Sequence, residues 1–112
     1  TIYIGDWISD VCSSDLLNAV LSEDDITTPA LLKIDVQGFE LSALRGCSTL
    51  LYKIDYVYVE CSFVELYKDQ ALVDEVIAFL SGEQFRLKGV YNMYYNNSGR
   101  AIQADFLFER NE

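Results

Sequence analysis

The chain has 112 residues, 51% of them hydrophobic, and a formal net charge of −10. This length fits one folded domain rather than two, and the apolar fraction is sufficient for a packed core. So acidic a chain is repelled by nucleic acid and by anionic membrane surfaces, and no apolar run reaches the roughly 20 residues of a membrane-spanning helix. We therefore predict neither a nucleic-acid partner nor a membrane partner.

Histidine and cysteine usage narrows the chemistry and the compartment. The sequence contains no histidine, which excludes Ser-His-Asp and Cys-His catalysis and histidine-based zinc sites. Its cysteines, Cys12, Cys47 and Cys61, are odd in number and far apart, which fits a reducing cytoplasm better than a disulfide framework. We predict a cytoplasmic protein that uses carboxylates, hydroxyls, amides, amines or a bound cofactor. The oligomeric state stays open.

Residues 9–16 read Ser-Asp-Val-Cys-Ser-Ser-Asp-Leu and match one reading frame of a common short-read sequencing adapter. Such a segment is a library artefact and is excluded from fold reasoning, as an expression scar would be. The alternative is an ordinary loop rich in serine and aspartate. We treat 1–16 as a doubtful segment and 17–112 as the C-terminal part of a domain that is truncated at its N-terminus. Residues 9–13 are then expected to be irregular, with Cys12 unpaired.

The first strand and helix are predicted from residues 30–51. Residues 30–36 form a nearly continuous apolar run after Pro29, which indicates a strand buried on both faces. Gly38 permits a turn, and Glu40 would lie in the first turn of a helix, where the helix dipole favours an anion. The apolar positions of this helix recur at helical spacing and are Phe39, Leu41, Leu44, Cys47 or Ser48, and Leu51.

The second half of the sequence predicts a strand, a helix and a hairpin. Residues 56–63 are aromatic and β-branched, as is typical of a strand. Asp69 is the predicted N-cap of a helix with Leu72, Val76, Phe79 and Leu80 on one face, and Gly82 its end. Residues 85–91 and 102–110 flank the turn sequence Asn-Asn-Ser-Gly, which predicts an antiparallel hairpin.

This order of elements predicts an α/β fold. Strands that alternate with helices imply right-handed crossovers and a parallel sheet. We expect residues 30–36 and 56–62 to be adjacent parallel strands, and residues 102–109 to run antiparallel in the same sheet. The arrangement is the second half of a doubly wound, Rossmann-like sheet of parallel strands with a terminal antiparallel hairpin.

Two carboxylates follow the two predicted parallel strands. Asp35 ends the first apolar run and Glu60 the second. Ligands of open parallel sheets bind beyond the carboxyl ends of the strands, and neighbouring strands lie about 4.8 Å apart, so both side chains should line one lip. Two carboxylates this close raise one pKa unless a cation or hydroxyl donors intervene. They could accept a proton from a substrate hydroxyl, bind sugar-like hydroxyls or share a divalent cation. Alternatively, Asp35 caps the turn and Glu60 pairs with a basic residue.

Residues 32–40, Leu-Lys-Ile-Asp-Val-Gln-Gly-Phe-Glu, resemble the signature of FkbM-type methyltransferases, Lys-Ile-Asp-Val-(Glu or Gln)-Gly-x-Glu. The resemblance continues through Leu-Arg-Gly at 44–46, the strand at 56–63 and Gln-Ala-Asp-Phe-Leu-Phe at 103–108. It implies an enzyme that transfers a methyl group from S-adenosylmethionine, typically to a hydroxyl of a sugar or secondary metabolite. The acidic, glycine-rich loop with which the family holds the methionine end of the cofactor has no counterpart here.

The resemblance also implies roles for individual residues. Asp35 is the expected cofactor-binding and catalytic residue, while Gln37 and Glu40 are carried over by position as substrate-binding residues. Methyl transfer needs an in-line oxygen nucleophile and a carboxylate that receives its proton, and Asp35 with Glu60 could meet that need. Ser62 follows Glu60 on the same lip and could bind substrate, or could be an ordinary strand-end hydroxyl. We assign no metal ligand; the alternative is a divalent cation between the two carboxylates.

Two functions remain open at this point. The first is an S-adenosylmethionine-dependent O-methyltransferase that acts on a small-molecule hydroxyl acceptor. The second is a catalytically inactive fragment, or a non-enzymatic binding module, that lacks the cofactor loop. Binding of S-adenosylmethionine to the purified chain distinguishes them.

Overall fold

The secondary structure follows the predicted alternation of strands and helices. The computed structural model of the chain describes residues 2–4, 29–35 and 38–111. Its strands are β1 (Ile2–Ile4), β2 (Leu31–Ile34), β3 (Tyr56–Ser62), β4 (Phe85–Tyr95) and β5 (Ala101–Arg110). Its α-helices are α1 (Glu40–Gly46) and α2 (Val73–Gly82), and a 3₁₀ turn spans Leu51–Lys53.

The five strands of the described residues form one sheet in the order β1-β2-β3-β5-β4. β1 runs parallel to β2, and β2 runs parallel to β3, with Leu31 opposite Tyr56 and Ile34 opposite Val59. β5 lies antiparallel between β3 and β4. The predicted neighbours and the predicted hairpin are thus confirmed. This mixed α/β sheet is compatible with a methyltransferase-like fold, whereas its doubly wound, Rossmann-like form stays a prediction.

The described part of β2 is covered on one face, so the prediction of a strand buried on both faces was wrong. Leu32 and Ile34 are buried, whereas Lys33 between them is exposed. Because side chains alternate along a strand, the helices bury only every second residue. The buried face includes Leu44, Leu51, Val57, Val59, Val76, Leu80, Phe85, Phe106 and Phe108. The opposite face, called the open face below, carries Lys33, Tyr58, Glu60 and Asp105.

Helix α1 is shorter than the sequence pattern suggested. It ends at Gly46, and the chain continues through turns into the 3₁₀ turn. Gly46 begins the run Gly-Cys-Ser-Thr, whose members are poor helix formers, which explains the early end. Leu44, Cys47 and Leu51 are buried as their spacing predicted, but Phe39 precedes the helix and is 43% exposed.

Helix α2 begins later than predicted, so the assignment of Asp69 as its N-cap was wrong. Leu72 is the N-cap residue and has no side-chain acceptor. Instead, the Glu75 carboxylate accepts a hydrogen bond from the Leu72 N–H at 3.4 Å. Asp69 adopts a left-handed backbone conformation with φ 61 and belongs to the preceding loop. The predicted end of the helix at Gly82 is confirmed.

Two contacts hold the starts of β2 and β3 in place. The Asp55 carboxylate accepts a hydrogen bond from the Ala30 N–H at 2.7 Å, which joins the two strand starts. The Arg110 guanidinium donates to the carbonyl oxygen of Ile54 at 2.8 Å and lies 4.6 Å from the centre of the Phe85 ring. The Asp55 contact supports the β2–β3 register, which carries Asp35 and Glu60 to the same edge of the sheet.

Part of the doubtful segment 1–16 is described by the structure. β1 lies within it, while residues 9–13, including Cys12, lie outside the described residues, so the predictions for them stay predictions.

The two described cysteines, Cys47 and Cys61, are buried free thiols. Burial raises the pKa of Cys47 to about 12, so this residue supplies no thiolate near neutral pH. None of the described helices is long and apolar enough to cross a membrane.

Candidate active site

A pocket of about 310 Å³ opens at the carboxyl ends of β2 and β3. Asp35 and Glu60 both line it, so the structure brings the two predicted catalytic residues together. We call it the carboxylate pocket. Its other polar lining residues are Lys33, Tyr58, Asn92 and Asp105.

The strand register explains why Asp35 and Glu60 meet. Ile34 is the last residue of β2 and pairs with Val59 of β3. Asp35 and Glu60 are the next residue on each strand, and parallel neighbours advance together. Alternation places Glu60 on the open face, opposite the buried Val59 and Cys61. The shared position is therefore a consequence of the β2–β3 register.

A third carboxylate, Asp105, was not predicted as a site residue. It pairs directly with Glu60 across β3 and β5. Its Oδ2 accepts hydrogen bonds from the Tyr58 hydroxyl at 2.9 Å and from the Asn92 side-chain amide at 2.7 Å. Asn92 has φ 56 and lies where the β4–β5 register shifts, and such an irregularity re-aims a side chain. The sequence did contain one signal for it, because Asp105 is a charged residue between the apolar Ala104 and Phe106 of a predicted strand.

The pKa of Glu60 is raised, as the sequence analysis expected for one member of the carboxylate pair. Burial raises the pKa of Glu60 above its ordinary value, and the charges of Asp105 and Asp35 add to that rise. Burial and the hydrogen bond to Asp105 likewise raise the pKa of the Tyr58 hydroxyl. The Lys33 ammonium lies 5.9 Å from the centre of the Tyr58 ring and brings one cation to a pocket rich in carboxylates. The pocket therefore favours cations and hydroxyl donors over anions.

Glu40 is more deeply buried than a surface helix residue would be. It is only 6% exposed and does not appear among the residues that line the carboxylate pocket. Burial is the main reason that its pKa is raised to about 7, and the charges of Glu60 and Asp35 also raise it. Hydrogen bonds from the backbone N–H groups of Glu40 and Gly38 lower the pKa and offset part of this rise. Its predicted substrate-binding role stays a prediction. Its carboxyl group can gain or lose a proton close to neutral pH.

The two remaining predicted substrate residues have different outcomes. Gln37 lies outside the described residues. Ser62 is 3% exposed, and its hydroxyl oxygen accepts a hydrogen bond from the Gln70 amide at 2.9 Å. It lines neither of the described pockets. A substrate role for Ser62 stays a prediction, and in the structure the hydroxyl is part of a contact that holds the loop after β3.

Gln70 is a second residue that the sequence analysis missed. It is 7% exposed, and its side-chain oxygen accepts hydrogen bonds from the N–H groups of Leu66 at 2.9 Å and Tyr67 at 3.3 Å. Its amide nitrogen donates to Ser62. The side chain thus joins the end of β3 to the loop that follows it. A glutamine in a polar loop gives no pattern in the sequence from which this could be inferred.

Replacing Gln70 by methionine should destabilise the protein by about 2–3 kcal/mol, because the change removes three hydrogen bonds from a buried site at similar volume. Urea unfolding followed by circular dichroism measures the effect. The double variant with Ser62→Ala should cost less than the sum of the two single changes, since the serine hydroxyl is then not left unpaired. Strict additivity would contradict the coupling of Gln70 to Ser62.

No group of three or more cysteine, aspartate or glutamate side chains in the described part of the chain could hold a metal ion. Asp35, Glu60 and Asp105 line one pocket without forming such a group. The side chains of the pocket can transfer protons and form hydrogen bonds.

Comparisons with known proteins identify the domain. A family model described as the methyltransferase FkbM domain matches residues 14–87, about two thirds of the sequence. The predicted site residues Asp35, Gln37, Glu40, Glu60 and Ser62 all lie within that range, whereas Asp105 lies beyond it. A comparison with curated proteins found no match, and neither did a comparison with solved structures.

Proposed function

The chain belongs to the FkbM methyltransferase domain family, and we propose that it is the C-terminal part of an S-adenosylmethionine-dependent O-methyltransferase. Its acceptor is a hydroxyl group of a sugar or secondary metabolite. The observation that carries the proposal is the meeting of Asp35 and Glu60 in one pocket beyond the carboxyl ends of two parallel strands. Pockets at this edge are the usual ligand sites of such sheets.

The residues of the carboxylate pocket fit a cationic methyl donor. Asp35, Glu60 and Asp105 line this pocket, and Lys33 is the one cation among its described lining residues. S-adenosylmethionine supplies a methyl group on a positively charged sulfur, and Asp35 is the residue that we expect to hold it. The acidic glycine-rich loop expected for its methionine end has no counterpart in the sequence, which is why we propose that the chain is one part of a longer enzyme.

The carboxylates also suit the acceptor. Bound S-adenosylmethionine would supply the methyl group: attack of the acceptor oxygen on the methyl carbon would form a C–O bond, break the C–S bond and release the hydroxyl proton with S-adenosylhomocysteine. Asp35 is the proposed base that receives this proton, or orients the reacting oxygen. Glu60, whose pKa is raised, holds neighbouring hydroxyls of the acceptor. Asp105 is held by Tyr58 and Asn92 and keeps its wall of the pocket in place.

We also propose that the enzyme is cytoplasmic, because its cysteines are odd in number and far apart.

A titration of the purified chain with S-adenosylmethionine tests the proposal. We expect saturable shifts of backbone amide NMR signals at Asp35 and Tyr58, with the Gly82 amide at the end of α2 as an internal control. We expect no methyl transfer, because the loop for the methionine end is absent. A lack of binding at millimolar ligand would favour the inactive fragment or binding module. Transfer of a radiolabelled methyl group by the 112-residue chain would contradict the proposal that it is only part of the enzyme.

A further inference from the structure

A second pocket, here called the loop pocket, lies between helix α1 and the loops that follow β2 and β3. Its volume is about 320 Å³. Its lining includes Phe39, Ser42 and Arg45 from the first loop and α1, and Tyr67, Lys68 and Glu75 from the second loop and α2. None of these residues was assigned a binding role from the sequence.

The loop pocket lies near the carboxylate pocket along the chain. Gly38 lines it and follows Asp35 by three residues, so their Cα atoms are at most about 11 Å apart. Both loops leave the carboxyl ends of parallel strands, the edge where this type of sheet binds ligands. The edge of the loop pocket at Gly38 therefore lies within about 11 Å of the Asp35 backbone.

The wall of the loop pocket depends on a glycine and a tyrosine in close contact. Gly38 has φ +96, and a Cβ atom added there would lie 2.7 Å from Cδ2 of Tyr67. Only a residue without a side chain allows the ring to pack so closely in this backbone conformation. The Tyr67 N–H is in turn held by the Gln70 side chain at 3.3 Å. The aromatic wall is therefore built by specific contacts.

Two cations that line this pocket, Arg45 and Lys68, have no ionic partner among the described residues. Arg45 and Lys68 are exposed, and neither makes an ion pair within residues 2–4, 29–35 and 38–111. Glu75 also lines the pocket, but its carboxylate accepts the Leu72 N–H. Asp69 lines it as well and is not paired with either cation. In a chain with net charge −10, two such cations at one pocket are available for an external anion.

Flat apolar surface accompanies the charges. Phe39 is 43% exposed and Tyr67 is 47% exposed, and both line the pocket. Partly exposed aromatic rings can pack against flat or ring-shaped groups, and arginine binds carboxylate and phosphate groups with paired hydrogen bonds. In the carboxylate pocket, by contrast, Tyr58 and Lys33 stand beside three carboxylates, so that pocket is polar and rich in anions. The two pockets therefore differ in the ligand groups they favour.

We propose that the loop pocket binds the anionic part of the methyl acceptor, a carboxylate or phosphate carried next to a ring. Arg45 and Lys68 bind the oxyanion, while Tyr67 and Phe39 pack against the ring. The hydroxyl to be methylated then extends towards Asp35. This inference rests on the proposed function, because it takes the ligand to be the acceptor.

The test is a titration of the chain with phenyl phosphate, followed by backbone amide NMR. Saturable shifts are expected at Gly38, Ser42 and Lys68. Benzyl alcohol, which lacks the anion, should bind more weakly, and so should inorganic phosphate, which lacks the ring. A parallel titration with benzoate shows whether a carboxylate or a phosphate is preferred. Equal binding of benzyl alcohol, or phenyl phosphate shifts that fall elsewhere on the chain, would overturn the proposal.

Variants separate the two halves of the site. Arg45→Gln and Lys68→Gln should each weaken phenyl phosphate binding by roughly fivefold, the scale of one exposed charge contact. Tyr67→Leu should weaken phenyl phosphate and leave inorganic phosphate unchanged. Arg100→Gln, which removes an exposed cation from the hairpin turn, is the matched control and should have no effect. Unchanged binding by the Arg45→Gln, Lys68→Gln double variant contradicts the assignment of the cations.

The same samples distinguish failure of this inference from failure of the proposed function. A chain that responds to S-adenosylmethionine but not to phenyl phosphate overturns the loop pocket alone. A chain that binds phenyl phosphate at Gly38 and Lys68 but does not respond to S-adenosylmethionine supports the loop pocket as an anion site and overturns the methyltransferase assignment of the site.

Discussion

Replacing Asp35 by asparagine should lower turnover by roughly 100-fold or more in an active methyltransferase that carries this domain, the scale on which general-base catalysis is lost. Asparagine keeps the size and the hydrogen-bonding oxygen of Asp35 but removes the negative charge. The enzyme for this measurement is the longer protein that we propose contains residues 17–112, assayed by transfer of a radiolabelled methyl group to its acceptor. The loss should appear in kcat.

Two further variants give this experiment its controls. Glu60→Gln should act through the acceptor, raising KM with a smaller change in kcat, because Glu60 is proposed to bind hydroxyls rather than to take the proton. Asp74→Asn removes an exposed carboxylate of α2 that lines neither pocket and should leave both constants unchanged. Unchanged turnover of the Asp35→Asn enzyme would overturn the catalytic assignment.

Parts of the fold that depend on local pattern could be predicted from the sequence. The strands that contain Ile34 and Val59, their parallel pairing and the terminal hairpin all follow from apolar runs and turn residues. The degree of burial of β2 could not be predicted in this way. A run such as Leu-Leu-Lys-Ile is compatible with one or two covered faces, and only the position of the helices decides between them.

The helix boundaries were less predictable for a related reason. Asp69 is a good N-cap residue by type, but its left-handed backbone and the Gln70 contacts place it in a loop. The helix begins at Val73 because Glu75 can satisfy the Leu72 N–H. Capping preferences identify the residue types that can begin a helix. They do not say which of several nearby residues the tertiary contacts select.

The candidate site could be predicted where it depends on strand ends and not where it depends on cross-strand contacts. Asp35 and Glu60 follow apolar runs, which made their shared edge foreseeable. Asp105 enters the pocket because β5 inserts antiparallel beside β3, and this places it opposite Glu60. The antiparallel direction of residues 102–109 in the sheet was predicted, but their place beside β3 and their register were not, since hairpin register depends on the turn and on the irregularity near Asn92. The register of β5 against β3 thus determines which residue becomes the third carboxylate of the pocket.

Glu40 makes the stability of the protein depend on pH. Its pKa in the folded state is about 7, raised from 4.5 chiefly by burial. Below pH 4.5 both the folded and the unfolded states hold the proton, and the contribution of Glu40 to stability is fully present. Between pH 4.5 and 7 the unfolded state releases a proton that the folded state retains, so the free energy of unfolding falls as the pH rises. The total loss is on the order of 3 kcal/mol.

Glu40→Gln should therefore stabilise the protein at pH 8 by up to about 3 kcal/mol and change its stability little at pH 4.5. Glutamine keeps an oxygen that can accept the backbone N–H groups of Gly38 and residue 40, and it carries no charge beside Glu60 and Asp35. Urea unfolding from pH 4.5 to 8 measures the effect, with Glu83→Gln as the control because Glu83 lies just past α2 and lines neither pocket. A reduced pH slope should remain in Glu40→Gln, since burial also raises the pKa of Glu60. If Glu40→Gln were no more stable than the wild type at pH 8, the buried carboxyl would be ionised there at little cost. Glu40 would then carry a further negative charge beside Asp35 and Glu60 at that pH.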